Sequence, residues 1–133
     1  MKVRAIDHLV LTVKSIDHTT RFYEAVLGME KMLFDNGRVA LGFGSQKINL
    51  HEVGKEFEPG AYRAVPGSAD LCFVTDAELG QAIEHVKSFG VQIIEGPVAR
   101  VGAMGPMLSF YFRDPDMNLV EVSSYRDSAR NEV

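Results

Sequence analysis

The sequence predicts an α+β fold built from two βαβββ modules, and three observations carry that reading. Turn-forming residues gather in one stretch, 54–68, where Pro59, Gly60, Pro66 and Gly67 divide the 133 residues into nearly equal parts. Each part then runs through the same order: an alternating apolar strand, a helical stripe closed by glycine, and three short strands. The interval is constant as well, since His8 to Asp70 and Gly28 to Gly90 both span 62 positions. One domain over 1–133 is expected, with modules at about 3–53 and 69–125, a joining loop at 54–68 and a polar tail at 126–133 that frays. Each helix covers one face of its sheet, and the opposite faces are expected to form a shared concave surface.

In the first module, residues 6–13 alternate and are rich in Val and Leu, which suits a strand. Asp17 is expected to cap a helix in which Phe22, Tyr23, Val26 and Leu27 recur at helical spacing, and Gly28 ends it. Strands follow at 30–34, 39–43 and 47–53, with Asn36-Gly37 as a hairpin turn. In the second module the strand at 70–74 leads into Thr75-Asp76-Ala77-Glu78, which has the spacing of a capping box. Leu79, Ala82, Ile83, Val86 and Phe89 form the helical stripe, closed by Gly90. Strands are expected at 91–95, 107–113 and 118–123, and the glycine-rich stretch 100–107 reads as a lid or a plain connection.

Composition narrows the function classes. Hydrophobic content of 46% with 24% charged residues describes a globular chain rather than a disordered one. Fourteen Lys+Arg against eighteen Asp+Glu, with the basic residues scattered, offer no patch for nucleic acid. No apolar run approaches the ~20 residues of a membrane span. Met1 leads directly into strand-like sequence, and Cys72 is the only cysteine, so a soluble cytoplasmic protein without a disulfide is expected.

Strand alternation sorts the polar candidates. If Leu9, Leu11 and Val13 face the helix, His8, Val10 and Thr12 face away from it. Ile48 and Leu50 likewise leave Asn49 and His51 on the open face, and Val120 and Val122 leave Leu119, Glu121 and Ser123 there. Asp70 occupies the repeat position of His8. Four elements therefore offer His8, His51, Asp70 and Glu121, with Asn49 beside His51. A carboxylate within a small sheet is expensive unless it is neutralised or bonded, and imidazoles with carboxylates suit a divalent transition metal: Zn, Ni, Fe, Mn or Co. The alternative for Glu121 is a carboxylate capped by backbone donors or an arginine. His18 and His85 read as solvated surface, and Cys72 as a small packed hydrophobe.

The segments Asp7-His8-Leu9-Val10-Leu11-Thr12-Val13, Phe22-Tyr23, Leu27-Gly28-Met29, Tyr111-Phe112-Arg113-Asp114-Pro115-Asp116 and Asn118-Leu119-Val120-Glu121-Val122 resemble the vicinal oxygen chelate superfamily. That group includes glyoxalase I, extradiol dioxygenases and the fosfomycin- and bleomycin-resistance proteins. The resemblance runs from about 6 to 125 and is nearest to small single-domain glyoxalase-like proteins. It implies that His8 and Glu121 match the first-strand and last-strand metal ligands. The fourth-strand ligand of glyoxalase I falls at Asn49 or, with a two-residue slip, at His51; the metal set read here is His8, His51 and Glu121. The usual His of the second module is Asp70, which becomes either a fourth ligand or the catalytic base, and Glu121 joins it as a catalytic candidate. Loss of the fourth-strand carboxylate argues against glyoxalase I activity itself. Met117 stands where relatives carry Gly, in a turn that tests whether a side chain is held at positive φ.

The resemblance implies bidentate capture of two neighbouring substrate oxygens by an open-sided metal, in a lyase, isomerase or dioxygenase acting on a small oxygenated or thiol-adduct substrate. The other class is a metal-free small-molecule binding or sequestering protein of the bleomycin-resistance type. A homodimer is expected for so small a module, with the cleft formed within one chain or across two.

Overall fold

The computed structural model describes residues 1–126. It contains ten elements in the order β1 (His8–Val13), α1 (Ile16–Leu27), β2 (Glu30–Phe34), β3 (Arg38–Phe43), β4 (Gln46–Glu52), β5 (Asp70–Val74), α2 (Leu79–Lys87), β6 (Glu95–Gly102), β7 (Gly105–Arg113) and β8 (Leu119–Ser124). These form two units, 1–68 and 69–133, each holding one helix and one four-stranded sheet. The strand orders are β1-β4-β3-β2 and β5-β8-β7-β6, so the βαβββ pattern occurs twice with one topology. In each sheet the first strand pairs in parallel with the last and the remaining pairs are antiparallel. No described helix is long and apolar enough to cross a membrane. The tail expected to fray lies, from residue 127 onward, outside the described residues.

In the first unit Leu11 and Val13 of β1 and Ile48 and Leu50 of β4 are buried on the face that α1 covers with Tyr23 and Val26. The cap of α1 differs from expectation. Ser15, not Asp17, is the N-cap, and its hydroxyl accepts from the His18 N–H at 3.1 Å. Asp17 lies within the first turn, where its charge suits the helix N-terminus. Gly28 closes the helix in the left-handed region (φ 64°), which its missing Cβ makes inexpensive. Glu52 faces the helix, as alternation requires, and its Oε1 accepts from the Ile16 N–H at 3.2 Å.

The second unit departs from the sequence reading at two places. The stretch 75–78 is not a capping box: Glu78 is itself the N-cap, its carboxylate accepting from the Gly80 and Gln81 N–H groups. The hydroxyl of Thr75 is occupied by the Ala77 N–H instead. The larger correction concerns β6, which begins at Glu95 and runs to Gly102 rather than occupying 91–95. Its register against β7 shifts between Glu95 and Val98 around Gly96, whose φ of +125° only glycine adopts readily. The stretch read as a lid or connection is thus mostly ladder, with Arg100 paired to Met107 across a tight hairpin.

The turn from β7 to β8 is built on buried side chains. Asp114 Oδ1 accepts from the Asp116 and Asn118 N–H groups at 2.9 and 3.0 Å, and Asn118 Nδ2 donates to Asp114 Oδ2 at 2.9 Å. The Asn118 Oδ1 in turn accepts from the Ala69 N–H, which fixes the entry to β5. Met117 is held at φ 69°, as the turn comparison anticipated.

Candidate functional site

Each sheet has a helix-covered face and an opposite face, and the candidate residues lie on the opposite faces. On the first sheet β1 contributes His8, Val10 and Thr12 there, and β4 contributes Lys47, Asn49 and His51. His8 is half-exposed, and its Nδ1 lies 2.8 Å from Asp7 Oδ1. That contact makes Nδ1 the donor and leaves Nε2 with the lone pair. The same contact holds the Asp7 carboxyl below its usual range.

His51 stands elsewhere on that face. His8 pairs with Lys47, four positions before His51 on the same strand, so the two imidazoles are separated by about 13 Å of strand. His51 is buried, and its Nε2 lies 3.2 Å from Arg38 Nη2, which can only donate. Burial pushes the imidazole pKa down and the Arg38 charge pushes it further, against the opposing pull of Glu56 and Glu58. The Arg38 guanidinium lies over the rings of Phe57 and Phe34, at 4.5 and 5.1 Å from their centroids, and the Lys47 ammonium lies 3.6 Å from the Phe34 centroid. A cavity of about 610 Å3 opens beside His51, between Val10 and Thr12 on the sheet and Glu56, Glu58 and Tyr62 from the loop. Between Lys47 and His51, Asn49 is only 6% exposed, and its Oδ1 has no hydrogen-bond donor among the described residues. A buried acceptor left unmatched costs about 1–3 kcal/mol, so this one has a claim on a ligand.

On the second sheet Asp70 and Cys72 of β5 share a face with Leu119, Glu121 and Ser123 of β8 and with Ser109 and Tyr111 of β7. Cys72 pairs directly with Glu121 on one side, and Tyr111 pairs with it on the other. The Ser123 hydroxyl donates to Glu121 Oε2 at 3.2 Å. Ser123 also contacts Ser109 Oγ at 2.7 Å and Cys72 Sγ at 3.1 Å. Arg100 Nε donates to the Tyr111 hydroxyl at 2.9 Å, and Arg100 Nη2 reaches Glu95 at 3.3 Å. Burial pushes the Tyr111 phenol and the Cys72 thiol above their ordinary values; Arg100 and Ser123 respectively oppose the shift, and Glu121 adds to both.

The structure therefore brings His8, Asn49 and His51 to one face of the first sheet, and Asp70, Cys72 and Glu121 to one face of the second. Within neither unit do three His, Cys, Asp or Glu side chains among the described residues gather as a metal group. His18 and His85 are exposed, as expected. Cys72 is not the packed hydrophobe expected, because its thiol joins the polar row of Ser123 and Glu121. Arg38, Ser109 and Tyr111 were not singled out as site residues by sequence reasoning. Their relevance depends on cross-strand register, although the period of two from Ser109 through Tyr111 was visible.

Comparison with known proteins agrees with this architecture. Residues 5–122 match the profile described as the Glyoxalase/Bleomycin resistance protein/Dioxygenase superfamily. The chain is 55% identical over 128 residues to the glyoxalase domain-containing protein RDO1 of Mycosarcoma maydis, covering 96% of this chain and 72% of that protein. It is 53% identical to the virulence protein STM3117 of Salmonella typhimurium, covering 94% of this chain and 87% of that protein. The crystal structure of the Salmonella protein superposes with a TM-score of 0.93. An integron cassette protein from the mobile metagenome of V. cholerae shares 61% identity with a TM-score of 0.93, covering 94% of this chain and 98% of that one. With the repeated βαβββ pattern and a profile match across nearly its whole length, the chain belongs to the glyoxalase/bleomycin resistance protein/dioxygenase superfamily.

Proposed function

We propose that this protein is a metal-dependent, glyoxalase-like enzyme of the lyase, isomerase or dioxygenase type, acting on a small oxygenated or thiol-adduct substrate. The observation that carries the reading is Glu121, a carboxylate on the face away from the helix, held by the Ser123 hydroxyl while part of its acceptor capacity stays open. A protein that only sequesters a ligand has no need of so ordered an acceptor. His8 supports the reading, because a carboxylate on Nδ1 is the usual outer partner of a metal-binding histidine.

The residue types suit a divalent transition metal, and on the fourth strand Asn49 is the better donor. Asn49 has a buried oxygen without a donor, whereas His51 has its Nε2 engaged by a guanidinium cation that repels a metal. The proposed ligands are His8, Asn49 and Glu121, with His51 moved from ligand to a substrate-facing role beside the 610 Å3 cavity. When bound, the metal would supply Lewis-acid polarisation of two neighbouring substrate oxygens. Asp7 holds the His8 ring in one tautomer, while burial and then the Arg38 charge lower the His51 pKa, and Arg38 orients the imidazole through Nε2. Asp70, on the same face as Glu121, is the candidate base or fourth ligand. We read the protein as a cytoplasmic homodimer, with the exposed Leu33 on edge strand β2 among the groups that pairing would cover.

A metal-free binding protein is the second reading, favoured by the cavity and by the stacked Arg38, Phe34 and Phe57 beside it. Elemental analysis of untagged protein separates the two. About one transition metal per chain in the wild type, lost in His8→Ala and in Glu121→Ala, is expected. Full metal content in His8→Ala overturns the ligand assignment. No uptake after reconstitution with each candidate ion selects the binding protein.

A further inference from the structure

The direction of every hydrogen bond around Glu121 is forced by what each group can donate. A guanidinium has donors only, so the Tyr111 oxygen accepts from Arg100 Nε at 2.9 Å. The single phenolic proton is then available to a neighbouring acceptor, and Glu121 is the residue directly across the ladder on the same face. The guanidinium is itself anchored, donating through Nη1 to the Ala99 carbonyl at 3.0 Å and through Nη2 to Glu95 at 3.3 Å. On the other flank Ser123 donates its one proton to Glu121 Oε2. Its oxygen therefore serves as the acceptor for Ser109 at 2.7 Å and for Cys72 at 3.1 Å. The chain from Ser109 ends on the Glu121 carboxylate, and the chain from Arg100 ends on the phenol of the residue paired with it.

We propose that Tyr111, held by Arg100, is a positioning residue that orients the Glu121 carboxylate for a divalent metal; this rests on the reading of Glu121 as a metal ligand. A carboxylate offers about four lone-pair sites, and two hydroxyl donors leave others open. The flexible Glu side chain would otherwise lose rotamer freedom on binding an ion, a loss that donors already in place in the folded protein reduce.

Full-chain protein stripped with a chelator and titrated with Co2+ tests this, using the visible absorption band and competition with a chelating dye to obtain Kd. The wild type is expected to saturate with a defined band. Tyr111→Phe removes only the hydroxyl and is expected to raise Kd about 10–100-fold and to shift the band. Arg100→Met, which leaves the phenol without its anchor, raises Kd by a smaller factor in the same direction, and Arg100→Lys recovers part of it. Thermal midpoints recorded alongside separate orientation from stability, because a purely structural network lowers the midpoint and leaves Kd alone. A Tyr111→Phe protein that binds Co2+ within twofold of the wild type, with an unchanged band, overturns the proposal. If that variant fails to fold, an unchanged Kd in Arg100→Met overturns it equally. A wild type that binds no Co2+ removes the ligand reading of Glu121 and the proposal with it, and is distinguished by failing before any substitution is made.

Discussion

The two sheets share one topology and one helix placement, yet their helix-free faces carry opposite polar designs. On the first sheet an acceptor, Asn49 Oδ1, is buried without a donor, while two cations rest on aromatic rings. On the second sheet a carboxylate, Glu121, accepts from the Ser123 hydroxyl and is paired with Tyr111 across the ladder. The repeat has therefore kept the backbone pattern, which the helix-side apolar residues enforce, and let the other face diverge. The turns diverge in the same way. Two residues, Gly44 and Ser45, join β3 to β4, whereas the five-residue stretch 114–118 joins β7 to β8 around a buried Asp–Asn network.

The largest test of this contrast is at Gly96. A Cβ there would lie 2.6 Å from Phe110 Cα and 2.7 Å from the Ser109 carbonyl oxygen, with φ at +125°. Gly96→Ala is expected to lower stability by about 3 kcal/mol or more in urea unfolding. In the first sheet β2 runs in unbroken register with β3 from Glu30 to Phe34, and Phe34→Ala should lose only about 1 kcal/mol with its cation contacts. Comparable losses in the two variants would mean that the bulge is not a feature of the second sheet alone.

The turns give the next effect. Asp114→Ala strands the Asp116 and Asn118 N–H groups and is expected to cost about 2–3 kcal/mol. Ser45→Ala in the corresponding turn of the first unit should stay within ~0.5 kcal/mol. Thermal unfolding of both proteins checks the ratio. At Met117 the sign reverses, because the side chain is 63% exposed and φ is 69°. Met117→Gly should add about 0.5–1 kcal/mol, and a loss of stability would show that the side chain packs usefully.

The smallest effect concerns His51 in chelator-treated protein. Its folded pKa lies below the ordinary 6.5, so as pH falls through 6.5 the unfolded chain takes up a proton that the folded one resists. Stability is unaffected above that value and declines below it, until the lower folded pKa is passed. Replacing Arg38, whose charge contributes to the depression, by Met should shrink the decline between pH 7.5 and 5.5. An unchanged slope in Arg38→Met would place the cause in burial alone, with Glu56 and Glu58 setting the opposing term.

Much of the fold was legible because it depends on local periodicity. The strands at 30–34 and 70–74 and the helix end at Gly28 coincide with the structure, since alternation and a left-handed glycine are written within a few residues. The helix caps were less legible. Ser15 and Asp17 both suit a cap, as do Thr75 and Glu78, and the choice depends on where the preceding strand delivers the chain. β6 was misplaced because Val91, Ile93 and Ile94 are apolar enough for a strand, while the true strand passes through Gly96-Pro97. Only pairing with β7 explains that.

The candidate site divides along the same line. Sequence by itself determined that His8, Asn49 and His51, and separately Asp70, Cys72 and Glu121, lie on the faces their helices leave uncovered. That follows from a period of two, which needs no knowledge of partners. The tertiary structure decided what each of them meets: Asp7 on His8, Arg38 on His51, no donor on Asn49, and Tyr111 with Ser123 on Glu121. Arg38 with His51 and Tyr111 with Glu121 are 13 and 10 residues apart on neighbouring strands, and register across strands is set by the packing of whole sheets rather than by any one segment.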